Sequence, residues 1–224
     1  MTRGVVIIGL GLYRRWAEGL PRKLKELGIK SSCTVITEPL PQSSIQPARD
    51  WGVTEACARW HKTHLYDITP YDETLLLDAD ILPFGNLSYI WSHLENSDVA
   101  ACVEEVCPWM DGAQFKDDRE RRDTEVLMGP LASAPHFNTG VVLFRKTCST
   151  RAFFELWQQE WQGAADQPAF NRAMFRLGID AAILPAQYNR MPPKGASMAA
   201  IKKMIPTSLL IHFWAHKPIL WDWK

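Results

Sequence analysis

The chain has no surplus of charge. Lysine plus arginine number 25, aspartate plus glutamate number 25, and the formal net charge is zero. Proteins that bind nucleic acid in general carry a basic excess, so general nucleic-acid binding is not expected. No apolar run is long enough for a transmembrane segment. The opening Met1-Thr2-Arg3-Gly4 leads into Val5 to Ile8, which is too short for the apolar core of a signal peptide. Cysteine is sparse. The five, at 33, 57, 102, 107 and 148, include no Cys-x-x-Cys pair. This argues against a disulfide framework and against a cysteine-based zinc site, and fits free thiols in a reducing compartment. A cytoplasmic location is the expectation that follows. There is no internal repeat. A third glycine is also missing: Gly9-Leu10-Gly11 follows the first apolar run, but position 14 is Arg. That removes the dinucleotide fingerprint of a dehydrogenase. Gly9 and Gly11 would still let a nucleotide approach the backbone.

Apolar residues are plentiful, at 46% of 224, enough for one substantial core. The expected organisation is a single domain over 1–224. Runs of strand length recur at 5–8, 33–36, 74–78, 98–103, 140–144, 182–184 and 208–211. Several are continuous rather than alternating, as in strands covered on both faces. Helical patterns lie between them. Tyr13, Trp16, Ala17, Leu20, Leu24 and Leu27 share one face, with Pro21 as a candidate kink and Gly28 as a stop. Val53, Ala56, Cys57 and Trp60 form a second face, and Phe153, Phe154, Trp157 and Trp161 a third. A fourth helix opens at Asp166-Gln167-Pro168, with Asp166 as a candidate cap. Strands alternating with helices predict an α/β fold with a mostly parallel central sheet and helices on both faces.

Two stretches break the pattern. Residues 104–130 are dense in both signs of charge and have no clear strand. They read as a mobile insertion or as a solvated helix laced with i,i+4 pairs. Residues 185–206 are rich in Pro, Gly, Lys and Met. Three of ten tryptophans, at 214, 221 and 223, cluster near the C-terminus.

The most informative segment is Leu75-Leu76-Leu77-Asp78-Ala79-Asp80. A buried strand ends abruptly in two carboxylates, and the apolar pattern resumes at Ile81-Leu82. Ligands of open α/β sheets bind outside the carboxyl ends of the strands. Paired carboxylates there repel each other unless a cation lies between them, and oxygen ligands suit Mg²⁺ or Mn²⁺. Alone, Asp-x-Asp often marks only a turn. Four further polar signals flank apolar strands: His136-Phe137-Asn138-Thr139-Gly140, Asp166-Gln167, Gln187-Tyr188-Asn189, and His212 to Pro218.

In their order and spacing these segments resemble the retaining GT-A glycosyltransferases of the family that includes glycogenin and bacterial lipopolysaccharide galactosyltransferases. Thr69 to Asp80 is similar to that family's run into its metal-binding pair. Phe137-Asn138-Thr139-Gly140-Val141 is similar to its Phe-Asn-Ser/Ala-Gly-Val segment, Asp166-Gln167 to its Asp-Gln pair, and His212 with Lys217-Pro218 to its C-terminal signature. The resemblance implies a GT-A fold and transfer of a hexose from a nucleotide-diphosphate sugar, UDP being favoured, to an acceptor hydroxyl with retention. The acceptor could be a glycan, a lipid-linked saccharide, a protein or a modified base. Asp78, Asp80 and His212 would hold Mn²⁺ or Mg²⁺. Tyr13 would pack on the base, with Lys62, Asp78 and Lys217 at the diphosphate. Asn138, Asp166 and Gln167 would be the catalytic set lining the sugar pocket. Two departures stand out. Ala215-His216 shortens the His-to-Lys spacing, making His216 a second candidate ligand, and Gly9-Leu10-Gly11 replaces the usual Thr-Asn-Asp ending of the first strand. Two other readings use the same acids: a haloacid-dehalogenase-like phosphatase acting through Asp78 and Asp80, and a sugar-nucleotide-binding module without turnover.

Overall fold

The computed structural model describes residues 1–39, 52–104, 115–129 and 136–213. The strands are β1 (Arg3–Ile8), β2 (Ser32–Ile36), β3 (Glu73–Asp78), β4 (Ile81–Pro83), β5 (Val99–Val103), β6 (Phe137–Arg145), β7 (Ala182–Leu184) and β8 (Leu210–His212). The helices are α1 (Arg14–Glu26), α2 (Val53–Thr63), α3 (Leu65–Ile68), α4 (Asp118–Met128), α5 (Cys148–Glu160), α6 (Asp166–Leu177) and α7 (Met198–Met204). Six strands form one sheet in the order β2-β1-β3-β6-β5-β7. The fold is α/β with a mostly parallel central sheet, as the sequence predicts. Only β6 runs against its neighbours, β3 and β5.

The continuous apolar runs reflect burial on both faces. Val5, Ile7, Leu75 and Leu77 point to one side, where they meet Trp16, Ala17, Leu20 and Leu24 of α1. Val6, Ile8, Leu76, Val142 and Phe144 point to the other, against α2, α5 and α6. That second core is dominated by aromatics. Trp157 meets Phe170 edge-on at 4.9 Å between ring centroids, and its Nε1 donates to the Asp166 carbonyl at 3.0 Å. Burying such rings is among the larger contributions a core can make, and here it also anchors the start of α6. Helix α1 runs without interruption past Pro21.

Two sequence expectations change. The run at 208–211 is not part of the main sheet: β8 pairs with β4 in a separate two-stranded ribbon. In the charged excursion, α4 is a helix with i,i+4 pairs Arg119–Asp123 and Arg121–Glu125, but it is not simply solvated. Its Glu120 and Thr124 are buried and bonded to Arg172 of α6. The remainder of 104–130, apart from Glu104 and 115–129, lies outside the described residues, as does the tryptophan cluster at 214–223. Among the described residues, no helix is long and apolar enough to cross a membrane.

Candidate active site

Sheet polarity decides what gathers at one edge. Asp78 ends β3, beside Ile8 at the end of β1. Because β6 is antiparallel, its beginning lies at that same edge, with Val141 opposite Leu77. Asn138, Thr139 and Gly140 are therefore carried to the edge at which the acidic pair lies. The ribbon brings the last piece. Ile81 pairs with His212, and the Phe213 backbone N–H donates to the Asp80 carbonyl at 2.9 Å. His212 is thereby held across from Ile81, 131 positions earlier. Its Nε2 lies 3.3 Å from Asp80 Oδ1 and 3.9 Å from Asp78 Oδ2. One ligand atom from each of Asp78, Asp80 and His212 falls within 4.8 Å of the others. Gly140 leaves room for the ring: a Cβ there would sit 2.5 Å from His212 Cε1.

Cations reach the acids from α2, one turn apart. The Lys62 ammonium lies 2.7 Å from Asp78 Oδ1 and donates to Oδ2 at 2.8 Å, and it is 3.4 Å from Asp166 Oδ2. Arg59 Nε lies 3.6 Å from Asp166 Oδ1. The sequence makes Asp166 a candidate cap, but Ala165 occupies the cap position of α6 without a capping side chain. Asp166 is instead the first helical residue. Burial would raise its pKa, but Lys62 and Arg59 outweigh it and hold the carboxyl below its ordinary range. Burial pushes Asp78 up, with Asp80 adding repulsion and Lys62 opposing. For Asp80, burial is outweighed by His212, and its pKa is lowered. His212 mirrors this: burial opposes its charge, Asp80 favours it more, and its pKa is raised. Lys62 is likewise held charged by Asp166 and Asp78 against the cost of burial.

A buried amide cluster adjoins the acids. Asn138 Nδ2 donates to Glu104 Oε2 at 2.7 Å and to Gln167 Oε1 at 3.1 Å, while Gln167 Nε2 donates to Glu104 Oε2 at 2.9 Å. Asn138 Oδ1 accepts from the Gly140 N–H and from Asn189 Nδ2, both at 2.8 Å. Asn189 Oδ1 faces His212 Nδ1 at 3.1 Å. The sequence reading assigned no role to Arg59, Glu104 or Asn189. Arg59 carried a legible signal in its three-residue spacing from Lys62. Asn189 stood in a polar trio after a strand, and Glu104 at the end of one.

Tyr13 stands at the start of α1, 38% exposed, its ring edge-on to Trp16. Burial raises its hydroxyl pKa, and Asp80, Glu55 and Asp78 add to this. The space a Cβ would take at Gly9 is filled by Ala17, Ala79 and the Tyr13 carbonyl. This glycine allows α1 and the Asp-Ala-Asp turn to pack closely. Gly11 has φ +56°, with Thr54 beside it. Lys217 and His216 lie outside the described residues.

The family model described as Glycosyl transferase family 8 matches residues 54–222. No curated protein matches the sequence. Among solved structures, the bifunctional glycosyltransferase WbbM is similar with a TM-score of 0.63 and 12% identity, over 96% of this chain and 46% of that one. This chain thus spans under half of WbbM's length. Mouse xyloside xylosyltransferase 1 has a TM-score of 0.61 and 12% identity, with 98% and 100% covered. The galactosyltransferase LgtC, solved with donor and acceptor sugar analogs, has a TM-score of 0.55 and 14% identity, with 94% and 87% covered. At such identities the likeness is one of fold.

Proposed function

The chain belongs to glycosyl transferase family 8 and is a glycosyltransferase, and from that premise we propose that it moves a hexose from a nucleotide-diphosphate sugar, with UDP the favoured carrier, to an acceptor hydroxyl with retention. The observation that carries this reading is the convergence of Asp78, Asp80 and His212 at the edge of the sheet. Family membership displaces the phosphatase reading of the same acids and the reading without turnover. The domain proposed is the whole of 1–224, and the proposed location is cytoplasmic, where Cys33, Cys57, Cys102 and Cys148 would stay as the free thiols described.

The residues fit a divalent ion. Two carboxylates and an imidazole are a donor set suited to Mn²⁺ or Mg²⁺, and the only cation hydrogen-bonded to Asp78 among the described residues is Lys62. When bound, such an ion would offset charge on the departing diphosphate. Lys62 would share that role, since its ammonium already touches Asp78. Lys217 would add a second cation. Tyr13 would present its exposed ring to the base. Asp166 and Gln167 would orient the sugar. Transfer forms a bond from the acceptor oxygen to the anomeric carbon as the carbon–phosphate oxygen bond breaks, and the acceptor proton passes to the leaving diphosphate. Front-face attack is favoured over a covalent sugar–protein intermediate. The Asp166 carboxylate faces Lys62 and Arg59, which weakens it as a nucleophile, and both ends of the Gln167 amide are engaged within the protein.

The test is hydrolysis and transfer from a panel of nucleotide-sugars, with Mn²⁺ or EDTA, following release of nucleoside diphosphate. Metal-dependent release from a single donor is expected. No release and no calorimetric binding of any donor would overturn the proposal.

A further inference from the structure

The amide cluster contains a chain of hydrogen bonds whose direction can be read from one end. A backbone N–H can only donate. The Gly140 N–H meets Asn138 at 2.8 Å, so the atom there is Oδ1. The other end of that amide agrees, because a Glu104 carboxylate oxygen faces it at 2.7 Å and accepts from Nδ2. Asn138 Oδ1 also meets Asn189 at 2.8 Å. An acceptor must face a donor, so Asn189 turns Nδ2 toward it and Oδ1 toward His212 Nδ1, 3.1 Å away. An oxygen opposite Nδ1 requires a proton on Nδ1. The orientation of both amides, ordinarily ambiguous, is thus decided by a backbone donor.

We propose that Asn138 and Asn189 form a relay that holds His212 in its Nδ1–H form, so that Nε2 is the atom offered beside Asp78 and Asp80. Both are positioning residues for the metal, and the inference rests on the metal reading above. The ring is buried, with 5% exposure, and Gly140 closes one side of it. The relay sets both ring orientation and tautomer. Asn138, expected from the sequence to touch the sugar, has both hydrogens and both lone pairs of its amide used within this network. Partners of this kind typically contribute ten- to a hundredfold to metal affinity.

Two measurements test it. Mn²⁺ alone is titrated into wild type and Asn189→Ala, and free Mn²⁺ is followed by its electron paramagnetic resonance. A weakening of about ten- to a hundredfold is expected, with circular dichroism unchanged. Separately, ¹⁵N-histidine spectra of metal-free wild type at alkaline pH are expected to show His212 with its proton on Nδ1. Equal Mn²⁺ affinity in a folded Asn189→Ala, or an Nδ1 without a proton in wild type, would overturn the relay. The spectrum needs no variant and so decides even if Asn189→Ala does not fold. Wild type that takes up no Mn²⁺ would end the metal reading and the ligand role of His212 with it. The metal-free spectrum keeps that failure distinct from failure of the relay.

Discussion

Helix α6 takes part in two buried charge clusters that are built to different rules. In its middle, Arg172 donates from Nε to Glu160 Oε2 at 2.8 Å, from Nη1 to Thr124 at 3.0 Å, and from Nη2 to Glu120 Oε1 at 2.8 Å and the Glu160 carbonyl at 2.9 Å. Arg176 adds a second cation to Glu160. Charges balance and directional bonds are short. At the amino end, Asp166 belongs to a group with Asp78 and Asp80, faced by Lys62, Arg59 and His212 at distances that reach 3.6 and 3.9 Å. Among the described residues, Asp80 is ion-paired with the imidazole alone, at 3.3 Å. Buried charge is costly unless it is paired and bonded. The first cluster meets that requirement within the protein and fastens α4 to the body. The second sets three carboxylates against three cations at longer and less directional range at the edge of the sheet, and such sites are where function concentrates.

This contrast can be broken from either side. The largest effect is expected from Asp80→Asn: loss of metal-dependent turnover by about a thousandfold, comparable to removing an electrostatic stabiliser of a transition state, with thermal stability retained. Turnover is read with the best donor and Mn²⁺, and activity within tenfold of wild type would refute the metal site. Arg172→Met should do the reverse. Breaking a buried pair from one side costs about 3 to 5 kcal/mol, measured by urea unfolding, while the folded fraction keeps its turnover per molecule. Lys62→Met joins the two behaviours. Asp166 has a lowered pKa in the folded chain, so its stabilisation is complete above the unfolded value of about 3.9 and is lost as pH falls through the lower folded value. Removing Lys62 should make this acid limb shallower in melts taken across that range, and turnover should fall as well. The smallest effect is expected from Arg119→Ala, because its pairing with Asp123 is exposed on both sides. No resolvable change in melting temperature is expected, and a clear drop would mean that α4 is held by more than Arg172.

The comparison also shows where sequence reading stops. Asp78 and Asp80 were visible because polar residues interrupt an apolar strand, and α2, α5 and α6 because their apolar residues recur at helical spacing. Arg172 was not visible. A lone arginine in a helix reads as surface, and it is enclosed only once α4 and the end of α5 dock against it. Asn189 and Glu104 were hidden for a similar reason, since an amide or acid after a strand has no partner until the chain returns to it.

By itself, the sequence determined the alternation of strands and helices, burial of the sheet on both faces and the position of the acidic pair, because periodicity and abrupt changes of polarity are local properties. The tertiary structure decided which of those strands runs backward, that the segment before His212 leaves the main sheet to pair with β4, and how Gly140, Asn138 and Asn189 direct the His212 ring. These depend on contacts between residues far apart in the chain, and hydrogen-bond direction is defined only once both partners are in place.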